Sequence, residues 1–568
     1  MKTDTSEKNI ISKRHPSTVM RLARMGSMHQ TRLSFMRVLL RRLATEKWKI
    51  AQTIWQVDGA GNGTCLYTAT GPQRSYSLVV FANDLDPAKR SDRVIAEEWD
   101  ATFTLFDGVP TEEDIARLKE NVPKQEVGRI SERELSLSRA NRSVRLFDAV
   151  RHELAAGRQP DAELLNSVGY LMRTTAVYGS GKFGALDRRF IDDRAEFAEP
   201  FQSELLSVYM IRQFSVDMVE HLARVDAPQT AVPLDKNLRR TLGIGNSTGL
   251  GMAPFIVNHP VLFHSWMSTR EEALYRVRSV AHADDQKLTQ LKDFLSRQQF
   301  GLVDWHSEHP LQVEKIAALK SDLEQLADKL ASFDVTQTHL WNELYVWAEN
   351  TLTLEGQECL VTLLLEIYPE LVDELSKHMS IDESPDFRIN GKCSVAELTG
   401  IIEKHYKFAL DIDFNDSSAI ARYWYASEEK LEPRLGERFQ EPGCEREHPL
   451  AIARDIAFAY RDLIACDESI TIAEFLIRLP EHRHVIRRAQ QVSSFPYAEI
   501  EDNLIASDML PIDLLRCKLS FFGAIKFDPR SDRWVRINMF QHAPLADELC
   551  DNYDDTWVYP AVASDADG

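Results

Sequence analysis

Apolar and polar positions alternate most clearly between residues 49 and 106. Ile50–Val57 leads into the turn formers of Asp58–Gly63, and Thr64–Thr70 runs to a second turn at Gly71 and Pro72. Arg74–Ala82 follows, carrying Tyr76, Leu78, Val79, Val80 and Phe81, and Val94–Phe106 closes the series. A period of two with short turns predicts four antiparallel strands in a meander packed against helices.

From Thr111 to Lys377 the period changes to that of a helix. Thr111 with Glu112, Glu113 and Asp114 is a capped helix start. Leu205, Leu206, Tyr209, Ile211, Phe214, Met218 and Leu222 place a long helix over Glu204–Ala223. Leu360–Tyr368 is so apolar that it predicts a core helix. Residues 378–395 hold a cluster of loop formers and suggest a boundary, and a second helical region covers about 394–491. Near the end, Ala524–Asp528 and Trp534–Met539 flank a polar turn and predict a hairpin.

The expected fold is therefore mainly α within the α+β class. It has a small N-terminal antiparallel β unit, a large multi-helical body and a short C-terminal β-hairpin. The boundaries follow the same changes of period. Residues 1–47 form a basic amphipathic arm and 48–110 the β-rich unit. Residues 111–377 form a central helical domain with two glycine-rich loops, and 378–568 a C-terminal helical region with the hairpin and an acidic tail.

Composition narrows the class. The 568 residues carry a net charge of −20, with 44% hydrophobic and 27% charged residues, an ordinary globular balance. A general nucleic-acid binder would be basic, so that partner is not expected. The seven cysteines are scattered and form no C-x-x-C, which points away from a disulfide framework or zinc site and towards the cytoplasm. No apolar run is long enough for a transmembrane helix.

Residues 1–47 reverse the charge balance, with eleven Lys or Arg against three Asp or Glu. Leu33, Met36, Leu40 and Leu43 recur at helical spacing among Arg32, Arg37, Arg41 and Arg42. This pattern suits a helix docked on the acidic remainder, and also a transit peptide or a membrane-surface helix.

Two glycine-rich segments are the candidate chemistry. The first, Gly179–Gly184, is a literal G-x-G-x-x-G. A dinucleotide fingerprint needs a strand immediately before it, and the pattern from Ala162 to Tyr178 reads as helical. The P-loop and kinase readings lack their companion residues. Arg173, Lys182, Arg188 and Arg189 gather cations around the segment, while Asp187, Asp192, Asp193 and Glu196 could neutralise them. Exposed main-chain N–H groups with arginines suit a carboxylate or phosphate.

The second segment, Gly243–Gly251, places four glycines in nine residues around Asn246, Ser247 and Thr248. Such a stretch cannot be a stable helix and is expected as a turn or ligand-facing loop. It also contains a literal G-x-S-x-G at Gly245–Gly249, without the apolar strand that a hydrolase elbow requires. His259, which closes the segment before Pro260, is a candidate acid or base. The paired histidines His306 and His309, and Asp411–Asn415, lack the spacing of zinc or calcium sites.

Together these features suggest an enzyme that binds a small anionic substrate in an interhelical pocket. Tyr178, Lys182 and His259 are the catalytic candidates. Gly179, Gly181, Arg188, Arg189, Asn246, Ser247, Thr248 and Gly249 are the binding candidates. No metal is implied, the cofactor is left unknown, and the reaction is not specified among lyase, isomerase and transferase chemistry. A homo-oligomer is left open. The alternative is a non-catalytic interaction or scaffold protein whose basic N-terminal helix touches a partner or membrane.

Overall fold

A computed structural model describes residues 11–89, 98–125, 131–179, 193–249, 260–307, 310–333, 335–379, 389–413, 424–427, 433–435, 444–446, 452–500, 511–523, 528–529, 534–551 and 553–559. Its centre is a mixed sheet of nine strands, not a small N-terminal β unit. In chain order these are β1 (Lys49–Val57), β2 (Gly63–Thr70), β3 (Ser75–Ala82), β4 (Ala101–Asp107), β5 (Glu134–Arg142), β6 (Tyr170–Gly179), β7 (Gly243–Gly249), β11 (Asp528–Pro529) and β12 (Trp534–Met539). Strands β8 (Trp424–Ser427), β9 (Pro433–Leu435) and β10 (Cys444–Arg446) form a separate three-stranded sheet.

The order in the large sheet is β1-β2-β3-β4-β5-β6-β7-β12-β11. The pairings are antiparallel except β6 with β7, whose register sets Arg173 opposite Gly245 and Thr174 opposite Asn246. The expected C-terminal hairpin exists as β11 and β12, yet β12 also pairs along its whole length with β7 and so belongs to this sheet. The sheet thus draws on residues more than 400 positions apart in sequence. Local alternation cannot report such pairing, and this is why the fold expectation fails.

Strands β5 to β7 escape the alternation rule for a physical reason. Strand β5 contains Ser136, Ser138, Arg139 and Asn141, yet eight of its nine residues are buried. Both of its faces are covered, so apolar and polar positions need not alternate. One cover is the long helix over Gln202–Asp226.

Nine helices matter for the argument: α1 (Phe35–Thr45), α2 (Phe147–Ala155), α3 (Gln202–Asp226), α4 (Lys236–Arg240), α5 (Pro260–Arg278), α6 (Leu354–Glu366), α7 (Val395–His405), α8 (Ile452–Ile464) and α9 (Ile472–Arg478). Helix α3 buries nineteen of its 25 residues and touches β3 through β7. A helix buried almost all round belongs inside a protein, and here the sheet lies against it. Helix α6 is similar, with twelve of thirteen residues buried.

The main apolar core runs from Val19 through Tyr76, Leu206 and Leu360 to Tyr559. A second, separate core contains Val395, Leu398 and Ile402 of α7, Ile456 and Leu463 of α8, and Ile472 and Phe475 of α9. Within it, Ser394 and Thr471 face each other across a β-bridge, and each caps its helix reciprocally with Glu397 or Glu474.

The N-terminal arginines turn inward. Glu358 of α6 accepts hydrogen bonds from Arg14 (2.5 Å), Arg24 (2.9 Å) and Arg270 (2.6 Å). Glu366 pairs with Arg37, and neither side chain is exposed. Arg32 engages Asp373, and Arg41 engages Asp555. Glu355 pairs with Arg516, and this guanidinium together with His29 holds its carboxyl down at about 2 against the opposing effect of burial. No helix among the described residues is long and apolar enough to cross a membrane.

Candidate functional site

The two glycine-rich segments begin as neighbouring strands. Gly179 is the last residue of β6 and Gly249 the last of β7. Because these strands are parallel, both chains leave the sheet at the same end, separated by one inter-strand spacing of about 5 Å. Helix α3 is the crossover between them. Open α/β sheets place ligands at the carboxyl ends of such parallel strands.

Local chemistry explains how β6 starts. Residues 162–168 form a short helix that stops at Gly169, whose φ of 76° is left-handed. The turn frees the chain to enter β6 at Tyr170. A side chain at 169 would strike Asn538, with its Cβ 2.2 Å from Nδ2. By sequence Leu171–Tyr178 continues the helical pattern from Ala162, but Thr174, Thr175, Val177 and Tyr178 favour a strand once Gly169 has broken the helix. A strand therefore leads directly into the G-x-G-x-x-G segment.

The second segment is also extended from Gly243 to Gly249, in place of the expected turn or loop. Two of its glycines have packing reasons. A Cβ on Gly243 would lie 2.3 Å from the Met539 carbonyl oxygen, and one on Gly245 would lie 2.7 Å from the Tyr170 ring. Ser247 sits in mid-ladder opposite Arg536, not at the sharp strand-to-helix turn that a nucleophile elbow requires.

The candidate residues divide accordingly. The backbones of Tyr178 and Gly179 pair with Leu137 and Ser136 of β5. Asn246, Ser247, Thr248 and Gly249 pair with Ile537, Arg536, Val535 and Trp534 of β12. Tyr178 and Gly249 thus come to one end of the sheet. Gly181, Lys182, Arg188, Arg189 and His259 lie outside the described residues.

Residues that the sequence reasoning did not single out meet at the same end. Asp107 ends β4, two strands from Gly179 and so about 10 Å away across the sheet. Arg194 donates to Asp107 through Nη2 at 2.6 Å. Arg194 is only 8% exposed, its Nε lies 3.7 Å from Asp193 Oδ1, and neither Nε nor Nη1 makes a hydrogen bond among the described residues. The Arg74 guanidinium bonds Asp193 at 2.6 Å and lowers that carboxyl below its ordinary range. Tyr76 donates to Glu196, and burial together with this carboxylate pushes the phenol well up. Asp193 and Glu196, expected as neutralisers of the cations at 182–189, are thus engaged by Arg74 and Tyr76. The sequence signal for this cluster was the Asp107–Gly108 strand end, with Gly108 at a φ of 88°.

His264, near the second segment in sequence, has a structural role. Its Nδ1 accepts the Tyr497 N–H at 3.0 Å, and burial pushes its pKa down to about 4. No group of His, Cys, Asp and Glu able to hold a metal occurs among the described residues. Comparison with known proteins adds nothing, because no family model, curated protein or solved structure matches this chain.

Proposed function

We propose that the protein is an enzyme acting on a small carboxylate- or phosphate-bearing substrate at the carboxyl ends of β6 and β7. The observation that supports this reading is the parallel pairing, which brings the strand ends Gly179 and Gly249 to one end of the sheet. Main-chain N–H groups beyond Gly179 and Gly249 would supply donors. Lys182, Arg188 and Arg189 would neutralise the substrate, and Arg194 would add its buried guanidinium. Tyr178 and His259 would transfer protons. The site lies at a sheet end, which replaces the interhelical pocket expected from sequence.

The scaffold alternative loses its main support, since Arg14, Arg24, Arg32, Arg37 and Arg41 are engaged by carboxylates within the chain. A cytoplasmic setting belongs to the same proposal, because the described cysteines are free thiols.

Thermal melting against inorganic phosphate, short dicarboxylates and nucleotides tests the reading. At least one class should raise Tm with concentration, as linkage requires. Lys182→Ala should abolish that rise. Absence of any shift, or a full shift in Lys182→Ala, overturns the proposal.

A further inference from the structure

His29 is buried where its imidazole has little to bond. It is 7% exposed, and its Nε2 has no hydrogen-bond partner among the described residues. Glu355 Oε2 stands 3.7 Å from that nitrogen, beyond bonding range. Both oxygens of Glu355 accept from the Arg516 guanidinium instead, from Nη1 and from Nη2 at 2.8 Å.

Trp305 lies against the ring. It follows the turn Leu302–Asp304, and its indole stacks on His29 with centroids 5.8 Å apart and planes 14° from parallel. The Arg516 guanidinium is 6.0 Å from the same indole. His29 is buried, whereas Trp305 is only half-buried, so the indole is the outer member of the stack.

The charges around His29 are already matched. Those facing the ring among the described residues are Glu355 and Glu358 of α6 and Arg516 of the helix Pro511–Phe522. Glu358 serves Arg14, Arg24 and Arg270. Asp322, of the helix Pro310–Ala331, acts on Glu355 and accepts the Thr353 N–H at 3.1 Å. A second proton on His29 would therefore place another buried cation beside Arg516, with only a shared carboxylate to balance it. Such a charge is costly without water. Burial accordingly lowers the His29 pKa, against the pull of Glu355, so the ring charges only below the ordinary histidine value of about 6.5. Once charged, it gains by reaching water, and the half-buried member of the stack is the part that can give way.

We propose that His29 and Trp305 form an acid-opened latch, in which protonation of His29 displaces the indole and frees the turn at Leu302–Trp305. The released indole would join Phe300 and Val303, its near neighbours in the chain, which are already 49% and 63% exposed. The latch is distinct from the site at the ends of β6 and β7.

The test follows the full chain from about pH 7.5 to about pH 4.5, across the histidine range. Amide exchange at residues 302–306, corrected for the intrinsic effect of pH, should rise by about tenfold or more as the turn opens. Acrylamide quenching of Trp305, taken as the difference from Trp305→Phe, should rise with it. His29→Phe keeps a ring in the stack and cannot titrate, so its turn should stay closed over the same range. His29→Gln serves if that variant fails to fold. The proposal is overturned if the turn of the parent chain exchanges no faster at the acid end. An equal rise in a folded His29 variant overturns it as well, because the opening would then belong to another group or to general acid unfolding.

Discussion

Buried arginines meet two different environments in this protein. In the helical body, Arg14, Arg24, Arg37 and Arg516 each face a buried glutamate of α6 or α5. Around the sheet, Arg212 donates to main-chain carbonyls, and Arg194 pairs with Asp107 while its Nε and Nη1 make no hydrogen bond among the described residues. The first arrangement is architecture. Each charge is matched by a partner from a distant part of the chain, and together they fasten residues 11–45 and 555 to α6. The second rests buried guanidinium groups on main-chain carbonyls or on a carboxylate at the end of a strand. A basic stretch of sequence can therefore be spent on folding, while single arginines elsewhere are held by the main chain of remote segments.

The comparison breaks first if the matched pairs are dispensable. Arg37→Met removes the nearest partner of buried Glu366 and leaves it only Arg32 at 3.5 Å among the described residues, and it should cost about 3–5 kcal/mol in urea unfolding. The double variant Arg37→Met with Glu366→Leu should regain most of that loss, because an apolar pair avoids the desolvation of both ions. A single-variant cost below about 1 kcal/mol, the range of exposed pairs, would show that the contact is not structural.

Glycine substitutions sharpen the sheet side. Gly243→Ala and Gly245→Ala should each lower stability by roughly 1–3 kcal/mol through overpacking against Met539 and Tyr170. Their phosphate response in thermal melts should match that of the parent. A variant that stays stable but loses the response would move these glycines from packing to ligand contact.

The smallest effect concerns pH. His264 is neutral in the fold, with its pKa depressed to about 4 by burial, whereas the unfolded chain binds a proton near 6.5. The unfolded state therefore takes up more protons between these values. The contribution is complete above pH 6.5 and lost as pH falls towards 4, by roughly 1–3 kcal/mol. His264→Phe should flatten this slope in chemical unfolding series. An unchanged slope would assign the pH dependence to other groups, such as His29, whose pKa burial also lowers.

Parts of the fold are readable from short range. Strands β1 to β4 lie over stretches readable from their alternation, and turns of a few residues join the first three. Helix α3 follows its apolar periodicity, and the reciprocal caps at Thr111 and Ser394 start helices where the cap residues stand. Strands β5 to β7 were not readable. Their polar residues are buried, and β7 is built from glycines chosen for close approach to a strand and a ring. Of the candidate site, the glycine segments were visible as unusual composition, but their purpose was not. Beyond the Asp107–Gly108 strand end, Arg194 and Arg212 gave no local signal, because each matters only through what a remote segment places beside it.

By itself the sequence determined the elements whose partners are near in the chain: the first meander, the long helices and their caps. It also determined an acidic protein with a basic N-terminal stretch. Only the tertiary structure decided that the meander extends to residue 539, that β6 and β7 run parallel, and that the N-terminal arginines are consumed inside. The reason is one of range. Helix periodicity and turn formation arise from neighbours within a few residues, whereas strand pairing and the matching of buried charges depend on groups hundreds of positions away.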